Sequence, residues 1–214
     1  MQVAIAGGHG QIALRLTRLL HDRGDTIRSL IRNPDHSDDI HGAGGEPVVC
    51  DLESASDDQV AEAVGSVDAV VFAAGAGPGS GSERKETVDY GGAVKLIAAA
   101  KANGIPRYVI VSAIGADPDL EGDETFAVYM RAKGRADAEL AASGLEYTIV
   151  RPGSLTDDPG TGRVEVGERL DGGSISRDDV AAVVAEALHD PAAVGRTFDL
   201  VAGKTPVDQA IASL

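Results

Sequence analysis

The N-terminal turn constrains this chain more than any other feature. An apolar run, Val3-Ala4-Ile5-Ala6, meets Gly7-Gly8-His9-Gly10, and an amphipathic segment opens directly behind it. Gly7-x-x-Gly10-x-x-Ala13 therefore reads as a strand-to-helix turn with small residues at fixed spacing. The first glycine permits a tight bend, the second lets a ligand approach the backbone, and the small third residue seats the helix close to the sheet. Such a turn aims free N–H groups and the positive end of a helix dipole at an anion. Gly7, His9, Gly10, Gln11 and Ile12 are candidate contacts to a dinucleotide cofactor.

The rest of the chain repeats the strand–helix alternation. Apolar residues Ile12, Leu16, Leu19 and Leu20 follow a helical period up to His21, and Gly24 stops it. Strands are expected at 26–31, 46–50, 67–73, 107–112 and 145–150, with helices at 83–102 and 124–142 between them. Right-handed crossovers then give an α/β, doubly wound parallel sheet. The remainder is a small C-terminal portion: a glycine-rich, hairpin-like stretch over 157–173, a helix over 177–189 and a strand over 196–201. With 214 residues and no linker, one domain spanning 1–214 is expected. Aromatics are only 3% of residues, so the core must be built from aliphatic side chains, as in buried parallel sheets.

Charge and cysteine content narrow the partners. A formal net charge of -15 argues against nucleic acid or an anionic membrane surface. No apolar stretch reaches the length of a membrane span, and the first apolar run is read as a strand and not a signal peptide. A cytoplasmic protein acting on a small molecule is expected. The lone Cys50 permits no intramolecular disulfide, and the five histidines lack ligand spacing, so no metal site is expected. Oligomeric state is not legible.

The second strand bears on which dinucleotide binds. An NAD site places Asp or Glu at its end to hold the ribose hydroxyls. Here it ends Leu30-Ile31-Arg32-Asn33, and a guanidinium suits a 2′-phosphate, with His9 as a second contact. NADP(H) is preferred, with NAD(H) possible. Asp51-Leu52 sits where an adenine edge would lie, although Asp51 also fits a helix-capping role. Ala73, Ala74 and Gly75 end the fourth strand with side chains small enough for the cofactor's riboses.

Three residues point to chemistry. Tyr129 and Lys133 lie four apart on one predicted helix and so share a face, where an ammonium beside a phenol makes a workable general acid/base. Ser112 lies at the carboxyl end of the fifth strand, where open α/β sheets hold their ligands, and can hydrogen-bond a carbonyl or the phenol. Arg131 and Arg135 are read as helical ion pairs with Asp137 and Glu139. Loops 75–82 and 154–175 are expected to line the substrate pocket.

Gly-Gly-His-Gly-Gln, Ile-Arg-Asn-Pro, Asp51-Leu52, Val-Asp-Tyr-Gly-Gly (88–92), Ile-Val-Ser-Ala-Ile-Gly, Tyr-Met-Arg-Ala-Lys and Tyr-Thr-Ile-Val-Arg-Pro-Gly occur in this order. In them the chain resembles the atypical short-chain dehydrogenase/reductases, near the NmrA-like and flavin/biliverdin-reductase-like members. The resemblance implies a Rossmann-type single domain and hydride transfer to a small carbonyl, quinone or flavin-like acceptor. It also implies that Ser112, Tyr129 and Lys133 are catalytic, that Lys133 holds the nicotinamide ribose, and that Arg151, Pro152 and Gly153 pass beside the nicotinamide. Some relatives bind the cofactor only to sense it, and others are sugar-nucleotide epimerases or dehydratases. The short chain counts against the epimerase alternative, because a nucleotide-sugar substrate usually needs a larger C-terminal lobe.

Overall fold

A computed structural model describes residues 1–77 and 79–214. Pro78, within the loop expected to line the substrate pocket, lies outside the described residues. In chain order, β1 (Gln2–Ala6), α1 (Gln11–Asp22), β2 (Thr26–Ile31), α2 (Ser37–Gly42), β3 (Glu46–Val49), α3 (Asp57–Val64) and β4 (Ala69–Phe72) form the first half. A single turn, α4 (Ser82–Arg84), leads into a π-helix (Lys85–Gly92) and then α5 (Ala93–Ala102), β5 (Arg107–Val111), α6 (Thr125–Ala141) and β6 (Glu146–Pro152). The C-terminal part adds β7 (Ser154–Thr156), β8 (Arg163–Gly167), β9 (Ser174–Ser176), α7 (Arg177–His189), β10 (Arg196–Ala202), β11 (Thr205–Pro206) and α8 (Val207–Ala212).

The main sheet runs β11-β8-β10-β6-β5-β4-β1-β2-β3. From β3 to β10 every pairing is parallel, so the order around β1 and β4 is that of a doubly wound dinucleotide-binding sheet. The expected fold class holds. Each face has its own aliphatic core. One packs Leu16 and Leu20 of α1 and Val180, Val183 and Val184 of α7 on the sheet. The other packs Val60 of α3, Leu96 of α5 and Leu140 of α6 against the opposite side.

Three expectations about local structure are corrected. The helix read over 83–102 is not one α-helix, because Lys85–Gly92 winds as a π-helix. Extra residues per turn re-aim side chains, and such segments gather at functional sites. The stretch over 157–173 does not form its own hairpin. Its strand β8 pairs antiparallel with β10, while β7 and β9 form a separate parallel pair. Third, α8 and β11 went unread, as did the short helices α2 and α3. Burial also distinguishes the strands: β5 is buried throughout, whereas the edge strand β3 leaves Val49 59% exposed.

Arg107 stitches the amino-terminal end of the sheet. Its guanidinium donates to Glu146 O, Thr148 Oγ1 and Ala187 O, each at 2.6 Å. Burial lowers its pKa to about 10, and the neighbouring carbonyls satisfy its donors. This end is structural, so the carboxyl ends of the strands are left to form the site.

Candidate active site

The turn after β1 has the geometry its glycines predict. Gly7 adopts φ +79°, and a Cβ there would stand 2.5 Å from Ala74 Cα. A Cβ on Gly8 would meet Ser29 Cβ at 2.6 Å. The turn closes through Gly10 N–H donating to Gly7 O at 2.8 Å, and Gly8 N–H donates to Leu30 O at 2.9 Å. No side chain among the described residues caps the amino end of α1, which leaves its first-turn N–H groups open to the groove. Ala13 is fully buried, which seats the helix on the sheet. A cradle with no room for a Cβ and an uncapped helix dipole together fit a diphosphate.

Two cavities meet at Gly10, Ala73, Ala74 and Gly75, forming one groove across the carboxyl ends of β1 and β4. The first, about 260 Å³, holds Arg32, His9, Asp51 and Leu52 in its walls as expected. It also contains His36, Glu53 and Arg84, which the sequence reading missed. Glu53 organises this end. It accepts from Arg84 Nη2 at 2.6 Å and Thr87 Oγ1 at 2.7 Å, and lies 3.8 Å from Arg32 Nη1. The Arg84 hydrogen bond holds its carboxyl below the ordinary carboxylate range. Arg32 remains 62% exposed, so its fork is available to a further anion. His9 stacks on His36 at 3.6 Å, and its Nε2 lies 2.8 Å from Asp39 Oδ2. Asp51 accepts from Glu53 N–H at 3.1 Å, and the cap of α3 is Ser56 in a capping box, so the helix-capping role considered for Asp51 falls away. Cys50 is a buried free thiol whose pKa burial raises, which keeps it protonated.

The second cavity, about 580 Å³, brings together Ser112, Tyr129 and Lys133 with Ile12 and Ala73–Gly75. Lys133 is buried. Its Nζ donates to Val111 O at 3.1 Å and lies 3.5 Å from Asp89 Oδ1. Asp89 is fully buried, and its other oxygen accepts from Ala76 N–H at 3.1 Å, tying the π-helix to the loop after β4. Tyr129 is partly exposed, with the Lys133 and Lys85 ammonium groups 5.9 Å and 5.1 Å from its ring centroid. The Ser112 hydroxyl donates to Asp137 Oδ2 at 2.9 Å and not to Tyr129. The same oxygen accepts from Arg151 Nε at 2.8 Å. Burial raises the Asp137 pKa despite Arg151 and the Ser112 hydrogen bond, which both oppose the rise.

Several expected roles change. Asp137 is no surface ion-pair partner of Arg131 or Arg135. Arg131 donates to Leu120 O and Gly122 O, while Arg135 pairs with Glu86 and stacks on Tyr90. Gln11, Pro152 and Gly153 do not line either cavity. Gln11 points outward from the helix start, Pro152 is buried at the end of β6, and Gly153 packs where a Cβ would meet Gly173 O at 2.4 Å. Leu155 and Phe126 line the second cavity instead. A sequence signal for Asp137 existed: it follows Tyr129 and Lys133 at helical spacing on the same face of α6.

A parallel sheet of this order, with a glycine cradle at the switch between β1 and β4, defines a dinucleotide-binding α/β protein. The chain belongs to the NAD(P)H-binding family, whose model matches residues 7–191, and its resemblance to the atypical short-chain dehydrogenase/reductases holds. It is 41% identical to YhfK of Bacillus subtilis (strain 168), named as an uncharacterized sugar epimerase, over the full length of both chains. It is 36% identical to the UPF0659 protein YMR090W of Saccharomyces cerevisiae, across 100% of this chain and 99% of the relative. Among solved structures, a Bacillus halodurans protein named as an NAD-dependent epimerase/dehydratase superposes with a TM-score of 0.93 at 37% identity, covering 100% of both chains. The anaerobilin reductase ChuY of Escherichia coli O157:H7 shares the fold, with a TM-score of 0.79 at 24% identity over 94% of this chain and 97% of that one. A nicotinamide dinucleotide is the cofactor of this family. No helix among the described residues is long and apolar enough to cross a membrane.

Proposed function

We propose that the chain is a cytoplasmic, single-domain NADP(H)-dependent oxidoreductase that reduces a small carbonyl, quinone or flavin-like acceptor. The observation that carries this reading is the joining of the Tyr129–Lys133 cavity to the phosphate cradle through Gly10 and Ala73–Gly75. NADPH, when bound, would supply the hydride. Tyr129 delivers the proton to the acceptor's oxygen, from a hydroxyl on the one partly exposed member of the trio. Lys133, fixed by Val111 O and Asp89, orients the ribose and keeps a cation beside the phenol. The Ser112 hydroxyl donates its hydrogen bond to Asp137, so its oxygen offers lone pairs to the cavity and can orient a hydroxyl there. At the other end, Arg32 and His9 would hold a 2′-phosphate, and Leu52 and Asp51 would hold the adenine.

Two other readings have observations behind them. The name carried by the 41% identical relative favours sugar epimerisation, in which the cofactor would be reduced and then reoxidised with no net consumption. The commitment of Ser112 to Asp137 favours a protein that senses NADP(H) without turnover. The deciding experiment follows NADPH absorbance with a panel of quinones, flavins and aldehydes. Steady oxidation with at least one acceptor is expected. Tight NADPH binding with no oxidation of any acceptor would contradict the oxidoreductase reading.

A further inference from the structure

The cavity beside Tyr129 contains a charge that the proposed chemistry leaves unused. Lys85 is 8% exposed, lies in the cavity wall and sits over the Tyr129 ring. Its Nζ donates to Gly77 O at 3.0 Å, which occupies one of three N–H groups. No carboxylate among the described residues ion-pairs with it. The other charges nearby cancel: Lys133 faces Asp89 at 3.5 Å, and Arg151 faces Asp137 at 2.8 Å. The cavity thus keeps one uncompensated cation inside a chain with a net charge of -15.

An ammonium withdrawn from water without a counter-ion is costly, and an anion entering from the cavity offsets that cost. The neighbouring walls are apolar: the Phe126 and Tyr129 rings stand 6.4 Å apart, and Leu155 lies beside them. A compact ammonium on a flexible stem acts as a point charge and can pair with a carboxylate without one fixed approach direction. We propose that the substrate of this cavity is a carboxylate-bearing carbonyl compound with a planar apolar body, and that Lys85 is the counter-ion of its carboxylate. The inference rests on the cavity being the substrate site. Because Lys85 packs on the ring of Tyr129, the carboxylate and the reacting carbonyl lie within a few bonds of each other on the substrate.

The cofactor's own phosphates are the other possible source of an anion, and the test separates the two. Calorimetric titration of NADP⁺-saturated protein compares benzoylformate with its neutral amide, and NADPH fluorescence is titrated in parallel. Wild type is expected to bind the acid about tenfold more tightly than the amide or better, as befits a charge-assisted contact. Lys85→Met removes that preference and leaves NADPH affinity unchanged. Should Lys85→Met fail to fold by circular dichroism, Lys85→Gln, which keeps a hydrogen bond to Gly77 O, carries the same expectation. Equal affinities in wild type, no measurable binding of either compound, or a preference that survives in the variant overturns the proposal. So does a large loss of NADPH affinity, which assigns Lys85 to the cofactor phosphates. Binding is read without turnover, so failure of the oxidoreductase reading and failure of this one are separate results.

Discussion

The two ends of the groove are built in different ways. At the phosphate end, Gly7, Gly10 and Arg32 come from the ends of two adjacent strands, and the backbone does most of the work. At the cavity end, Lys85 and Asp89 come from the π-helix, Ser112 follows β5, Tyr129, Lys133 and Asp137 come from α6, and Arg151 comes from β6. There the working atoms are side chains held by long-range pairs. At the phosphate end the glycine turn has no room for a Cβ at Gly7 or Gly8. At the cavity end the buried pairs Lys133–Asp89 and Arg151–Asp137 make loss of one partner costly.

Four expected outcomes test that contrast, in descending size. Tyr129→Phe, assayed with whichever acceptor the panel yields, lowers kcat/KM by about 10²- to 10⁴-fold while NADPH affinity stays as in wild type. Unchanged turnover would remove Tyr129 from the chemistry. Gly7→Ala forces a side chain into a φ of +79° and onto Ala74, so denaturant melts should show a loss of about 3 kcal/mol or more, with NADPH binding weakened in step. A fully stable, fully binding variant would mean that the cradle is not as tight as its geometry. Asp137→Ala leaves Arg151 and Ser112 without their shared acceptor, and a destabilisation of about 3 kcal/mol is expected in the same melts.

The fourth concerns pH. Burial raises the Asp137 pKa, so the folded protein holds that proton more tightly than the unfolded chain. The stability this contributes is complete below the ordinary carboxylate range and is lost as pH rises through the folded value. The stability of wild type relative to Asp137→Asn should therefore fall as pH is raised from about 3.5 to 7, measured by urea melts. A constant difference would place Asp137 in an environment no drier than water. Glu53 has the opposite sign: Arg84 holds its pKa low, so its contribution is present at neutral pH and disappears on acidification.

The same contrast explains what could be read from the sequence. Gly7, Gly10, Ala13 and Arg32 obey rules of local spacing, and the fold class followed from strand–helix alternation. Tyr129 and Lys133 were legible as a pair because they share one helix face. Asp137 was misread because the nearest candidate partners along the helix are arginines, whereas its real partners, Ser112 and Arg151, arrive by parallel pairing of β5 and β6. Lys85 and Asp89 were hidden by the π-helix, since α-helical spacing assigns them the wrong direction. The antiparallel pairing of β8 with β10 has no local signal, because the two strands are separated by β9 and α7.

The central proposal is that the groove takes a dinucleotide carrying a 2′-phosphate, and the most direct test is the ratio of NADH to NADPH dissociation constants. By fluorescence titration, wild type should bind NADPH about tenfold more tightly than NADH or better, and Arg32→Ala should remove most of that difference, as loss of one exposed charge-assisted contact would. Equal affinity for the two cofactors in wild type, or an NADPH preference that survives in Arg32→Ala, would contradict the account.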